Sequence, residues 1–223
     1  MNRASAVTVV ALGLTGLGLG QTHSVETGGK HFRWSSRKAQ ELDYHQTIRR
    51  SSELSPATKT SLMEAIAAQI RPFKAELEIG SEGELRALSA NTRIKFVDLN
   101  DDGVAEVLAQ ATGVKIGCGA TGNCPFWVFQ ETPAGFRKLL DTRGQDGIGG
   151  IQVFTVSAGR SDGFNDLVLG AHESASEKAL FVYRFRDGQY RVAECYDADW
   201  WCMECSPPGA LKVPKITRLS QCR

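Results

Sequence analysis

The chain has 223 residues, 26 Lys and Arg against 25 Asp and Glu, a formal net charge of +1, and 42% hydrophobic residues. That length suffices for one good core or two small ones. The balanced charge gives no electrostatic ground for a nucleic-acid partner or an anionic membrane surface.

Arg3 precedes an apolar, Gly/Ala-rich run from Ala4 to Leu19, which passes through Gly20 into polar Gln21-Thr22-His23-Ser24. That is the build of a secretory signal peptide over residues 1–20, cut after Gly20. The run is too short and glycine-rich for a comfortable transmembrane helix, which argues against the alternative of an uncleaved anchor. The expected location is secreted or periplasmic, with no transmembrane span after cleavage. Residues 21–54 are polar and of mixed charge and read as a flexible lead-in, transiently helical at most from Ser36 to Arg49.

A single β-rich domain is expected over 55–223. Ser55 and Pro56 suit the N-cap and first position of a helix over 56–70. Leu62, Ile66 and Ile70 give it one apolar face, which reads as core packing, and Pro72 closes it. Ser81-Glu82-Gly83-Glu84 has the capping-box pattern and opens a second, short helix from 82 to about 90. After Asn91 the period changes to that of strands. Ile94 and Phe96 lie on one, and Val104 to Ala109 on the next.

Between them runs Asp98-Leu99-Asn100-Asp101-Asp102-Gly103-Val104-Ala105-Glu106. Asp98, Asn100 and Asp102 fall at alternate ligand positions, Val104 offers a carbonyl, and Glu106 closes the set. These hard oxygens are the ligand type of Ca2+, here as a structural cofactor. Gly103 sits where the chain must turn. An EF-hand needs glutamate at the twelfth position, where Ala109 stands, so that reading fails. The competing reading is a solvated hairpin turn, since Asp, Asn and Gly are turn residues.

Further strands are expected at Pro125–Gln130, Phe136–Leu140, Ile151–Val156, Ala179–Phe185 and Gln189–Ala193, with Asp187-Gly188 as a hairpin turn. Gly144 to Gly150 lacks the strand–loop–helix setting and the lysine of a phosphate cradle. Residues 194–223 read as an irregular, cysteine-rich tail. Six cysteines in an exported chain are most simply disulfides. Cys118 and Cys124 look like a local pair, while Cys195, Cys202, Cys205 and Cys222 allow three pairings. The rival is a zinc knuckle at Cys202-x-x-Cys205, completed by Cys195 and Cys222.

The chain also repeats itself. Asp102-Gly103-Val104-Ala105-Glu106-Val107-Leu108-Ala109 aligns with Asp162-Gly163-Phe164-Asn165-Asp166-Leu167-Val168-Leu169, and Phe126-Trp127-Val128-Phe129 with Leu180-Phe181-Val182-Tyr183. Two four-stranded antiparallel units follow, repeat one over 92–141 and repeat two over 150–193. At these residues the chain resembles FG-GAP and VCBS-like secreted β-repeat proteins, and small exported bacterial proteins of unassigned activity. That resemblance spans residues 94–193. It implies calcium in the acidic loop and a rigid extracellular scaffold for adhesion or ligand binding. Two repeats cannot close a propeller ring. The expected fold is therefore mainly β with an N-terminal helical part (α+β), its two units packed as a sandwich or a partial propeller-like sheet. The second acidic copy keeps only Asp162 and Asp166, and Arg160 would repel a cation there, so it reads as a plain turn.

Catalytic constellations do not emerge. His172-Glu173 lacks the second histidine of a zinc-protease helix, Ser176 standing in its place, and no Gly-x-Ser-x-Gly elbow occurs. The reading is a non-enzymatic binding or envelope accessory protein, with an extracellular or envelope protein or a glycan as partner. Phe126, Trp127, Trp200 and Trp201 are its candidate contact surface. The alternative is a small secreted hydrolase or hydrolase inhibitor.

Overall fold

The computed structural model describes residues 32, 34–144 and 148–222. The signal peptide expected at 1–20 and the start of the expected lead-in lie outside the described residues.

Both helices form where their caps predict. Ser55 Oγ accepts from Thr58 N (3.1 Å) and starts α1, Pro56–Ile70. Ser81 Oγ accepts from Glu84 N (3.1 Å) and starts α2, Glu82–Ala90. Glu84 reaches back to Gly80 N (2.9 Å), one residue before the cap.

The protein is mainly β, with two antiparallel sheets and the helical part on one side. The first sheet is β1 (Arg93–Val97), β2 (Glu106–Gln110), β3 (Phe126–Thr132) and β4 (Gly135–Asp141), in that order. The second is β5 (Val153–Ser161), β6 (Phe164–His172), β7 (Glu177–Arg186), β8 (Gln189–Cys202) and β9 (Gly209–Arg218). The second unit thus has five strands, which corrects the irregular tail expected at 194–223. β8 continues to Cys202, and β9 returns along it with Tyr196 opposite Arg218 and Asp199 opposite Lys215. Pro214 sits in β9 because that strand is an edge, where a missing N–H costs nothing.

The sheets pack face to face around Leu108, Phe126, Val128 and Leu140 of the first and Leu167, Leu169, Phe181 and Tyr183 of the second. The helices cover the first sheet's other face, where Leu62, Ile66 and Leu85 meet Val107, Ala109, Trp127 and Phe129. β3 is therefore buried on both faces. Aligned positions of the two repeats point opposite ways: Leu108 and Val128 face the sandwich interior, while Val168 and Val182 lie in a third cluster on the outer face of the second sheet. The repeats stack back to front and not as mirror images.

The segment 34–54 corrects the flexible lead-in. Trp34, Leu42 and Ile48 are buried. Gln40 exchanges backbone hydrogen bonds with Phe154 of β5 (2.8 and 2.9 Å), and Ile94 N of β1 donates to Gln46 O (2.8 Å). The segment is a strap across both sheets, made of turns and isolated bridges in place of the transient helix.

The cysteines pair as Cys118–Cys124, Cys195–Cys222 and Cys202–Cys205. The local pair is as expected, and the knuckle cysteines are bonded to each other, which displaces the zinc reading. Among the described residues, no helix is long and apolar enough to cross a membrane.

Candidate functional site

The acidic loop between β1 and β2 is braced from within. Asp98 accepts from Asn100 N (3.3 Å) and Gly103 N (3.0 Å), Asn100 Oδ1 from Asp102 N (3.1 Å), and Asp102 from Val104 N (2.7 Å) and Asn100 Nδ2 (2.8 Å). These are successive Asx turns, the local bonding that lets Asp and Asn shape tight loops. Asp101 and Gly103 adopt left-handed conformations, with φ of 58° and 84°. Partial desolvation pulls the Asp98 carboxyl upward. The N–H groups of Gly103, Asp101, Asn100 and Asp102 together outweigh it and hold the group below the usual carboxylate range.

Glu106 belongs to a different environment. It is 1% exposed, accepts from Leu99 N (2.9 Å) and from Gln130 Nε2 (3.1 Å), and its burial pushes the carboxyl upward against those two donors. The chain thus brings Asp98, Asn100 and Asp102 together on the loop and sends Glu106 into the interior. Val104 is exposed, and its N–H is spent on Asp102. Among the described residues, no three His, Cys, Asp or Glu side chains converge as a metal-binding group.

The loop has another evident job. Leu99 is buried in the sandwich core, its carbonyl accepts from Asn165 N of the second repeat (2.7 Å), and Asp101 pairs with Arg160 of β5 (2.8 Å). The arginine expected to repel a cation in the second copy instead holds the first loop in place. The second copy is a two-residue hairpin turn at Asp162 and Gly163, with φ of 44° and 86°. Positive φ at both central residues matches the right-handed twist of the flanking strands.

Another site escaped the sequence. On the outer face of the second sheet, a cleft of about 530 Å³ runs between the strap residues Trp34 and Lys38 and the strand residues Thr155, Asp166, Arg184 and Glu194. Arg184 lies between two carboxylates: its Nε is 3.7 Å from Asp166, and its Nη2 contacts Glu194. Arg218 reaches the other oxygen of Glu194 (3.5 Å), and the Tyr196 hydroxyl donates to that same oxygen (2.5 Å). Ser161 donates to Asp166 (2.8 Å). The charges alternate in sign across β6, β7, β8 and β9. A register shift between Val156 and Arg160 bulges β5 at the cleft rim, and Asn165 Nδ2 secures the bulge on Ser157 O (3.0 Å).

Burial raises Glu194, but Tyr196, Arg184 and Arg218 together outweigh it and keep the carboxyl low and ionised. Burial first and then Glu194 push the Tyr196 hydroxyl up to about 12. A locked network of this kind presents fixed donors and acceptors to a ligand. It does not hold a proton ready to give.

The aromatic contact surface needs correction. Trp127 is 1% exposed and Phe126 fully buried, because helices cover one face of β3 and the second sheet the other. Trp200 is half-buried, edge-on to Trp34 with centroids 5.9 Å apart. Trp201 is 45% exposed and donates from its ring nitrogen to Met203 Sδ (3.0 Å). His172 meets Asn123 through its backbone alone (2.7 and 2.9 Å).

No family model and no curated protein matches the chain. A solved structure titled as a Xanthomonas type IV secretion system related protein is similar, at 16% identity and a TM-score of 0.35. The likeness covers 57% of this chain and 58% of that one, so the chain spans less than two thirds of that protein's length. A likeness that shallow carries nothing about function.

Proposed function

We propose that the protein is an exported, non-enzymatic binding or envelope accessory protein that engages an extracellular or envelope protein, or a glycan, through the cleft beside Trp34. The observation that carries the reading is the ladder of Asp166, Arg184 and Glu194 on one wall of an open cleft, locked from beside it by Arg218. Fixed polar groups on a rigid sheet next to apolar side chains are the makings of a specific binding site. Acid–base hydrolysis fits less well. It needs a carboxyl held protonated near neutral pH, and Glu194 is held ionised, while the carboxyl pushed upward, Glu106, is sealed in the core. The back-to-front stacking of the two units agrees with an FG-GAP-like repeat scaffold.

The test is a glycan array and an array of envelope proteins probed with the oxidised mature chain and with Arg184→Met. A ligand whose affinity drops at least tenfold in the variant supports the cleft. A ligand indifferent to Arg184→Met and to Lys38→Ala places binding elsewhere.

Calcium enters this proposal with a smaller ligand set, Asp98, Asn100 and Asp102 with the Val104 carbonyl, and without Glu106. A cation that binds only the folded chain raises its thermal midpoint by mass action. The expected result at millimolar calcium is a rise over chelator that disappears in Asp98→Ala/Asp102→Ala. Equal midpoints in calcium and chelator remove the metal and leave the Asx bracing, with the Leu99 and Asp101 contacts, to hold the loop.

A further inference from the structure

The three disulfides differ in what surrounds them. Cys124 and Cys195 are buried, each inside a hydrophobic cluster, and Leu219 N donates to Cys195 O (2.9 Å) beside the Cys195–Cys222 bond. Cys118–Cys124 encloses a loop whose Cys124 end forms a β-bridge with Ile151. Cys202–Cys205 is different. It lies at the tip of the β8–β9 hairpin, with Cys202 half-buried and Met203, Glu204, Cys205 and Ser206 exposed. Among the described residues, no hydrophobic cluster includes Cys202 or Cys205.

Its stabilising value is also the smallest. A disulfide restricts the unfolded chain in proportion to the logarithm of the loop it closes, and this one spans a sequence separation of 3, against 27 for Cys195–Cys222. The hairpin it tips is held lower down by the pairing of Tyr196 through Asp199 with Lys215 through Arg218. A bond that stabilises so little, at so open a position, has its chemistry to offer. Beside it Trp201 (45% exposed) and Met203 (74% exposed) form an apolar platform next to the sulfurs.

We propose that Cys202–Cys205 is a thiol–disulfide exchange site that accepts two electrons from a protein dithiol docking on Trp201 and Met203. The partner's thiolate attacks Sγ of Cys205, the more exposed sulfur. The Cys202–Cys205 bond breaks, and Cys202 leaves as a thiolate that takes up a proton. The partner's second thiolate then attacks its own sulfur in the mixed disulfide and expels Cys205, which is protonated in turn. The balance is one disulfide and one dithiol exchanged for two thiols and the partner's disulfide, two electrons and two protons passing to this chain. Glu204 lies between the two cysteines in sequence, and its negative charge opposes formation of either thiolate, which slows the leaving step.

The test uses the folded, fully oxidised mature chain. Stepwise dithiothreitol followed by alkylation and peptide mapping is expected to label Cys202 and Cys205 at reductant concentrations at least tenfold below those that label the other four. The far- and near-ultraviolet circular dichroism should not change at that stage. A thioredoxin retaining only its attacking cysteine stands in for the partner's first thiol, stops at the mixed disulfide and should be trapped on Cys205. Trp201→Ala is expected to cut trapping severalfold without changing the rate with dithiothreitol, and Glu204→Lys to speed both reactions. Opening of Cys118–Cys124 or Cys195–Cys222 first, or opening of Cys202–Cys205 only with unfolding, overturns the proposal. Selective opening by dithiothreitol with no thioredoxin adduct also overturns it, because the bond is then merely exposed.

Discussion

The two repeats share a pairing pattern and differ in what their aligned acids do. Glu106 and Asp166 occupy the same place after Asp-Gly, yet Glu106 is sealed in the sandwich holding Leu99 N, and Asp166 lines an open cleft beside Arg184. The difference follows from stacking. Because the sheets pack back to front, one parity of residues faces inward in repeat one and outward in repeat two. Motif position therefore does not fix a residue's role; the face it lands on does. The connections diverge for a related reason: the longer first loop reaches across to the second sheet, and the two-residue second turn has nothing to reach.

Removing each acid breaks the comparison most sharply. Glu106→Ala strands the buried Leu99 N–H and leaves a void, at an expected cost of about 3 kcal/mol. Asp166→Ala, on the cleft wall, should cost about 1 kcal/mol, since Arg184 keeps Glu194 as its partner and the Ser161 hydroxyl can turn to the open cleft. Urea unfolding of the two variants gives both numbers, and equal costs would dissolve the distinction.

Acidity sharpens it further. Burial raises the folded pKa of Glu106, so between the unfolded and folded values the folded chain keeps a proton that the unfolded chain has lost. Its contribution to stability is thus full at low pH and declines as pH rises from about 4.3 through the folded value. Glu194 runs the other way: its folded pKa is lowered, and its contribution is lost as pH falls below the ordinary carboxylate range. Unfolding free energies at stepped pH should show Glu106→Gln gaining on the parent as pH rises. Parallel curves would mean that Glu106 is not penalised by burial. The smallest expected effect is that of Arg160→Ala, which removes an exposed pair to Asp101 worth at most about 0.5 kcal/mol. A loss beyond 2 kcal/mol would make that contact, and not Leu99, the loop's anchor.

Much of the scaffold was legible because it rests on local signals. Ser55-Pro56 and Ser81 with Glu84 fix the helix starts, and alternation marks the strands as far as Ala193. What stayed hidden depends on distant partners. The inward residues of the strap, Trp34, Leu42 and Ile48, stand too far apart for any period. β9 was masked by Pro214 and the preceding Pro207-Pro208-Gly209, which read as breakers until an edge position is known. Strand alternation turns Phe126 and Trp127 to opposite faces, and covering both faces of β3 puts both inside. The candidate cleft draws Asp166, Arg184 and Glu194 from three strands, and no spacing in the sequence announces such a row.

The strap also bears on the order of assembly. It is made before either sheet exists, yet Gln40 finds its backbone partner at Phe154, and Arg93 must be in place to donate to Leu42 O (3.3 Å). Contacts so distant are closed late, since each demands that the intervening chain be organised first. The earliest-synthesised part of the described chain is thus the last to settle. A chain still emerging from the ribosome therefore cannot seat the strap until β5, with Phe154, has been made.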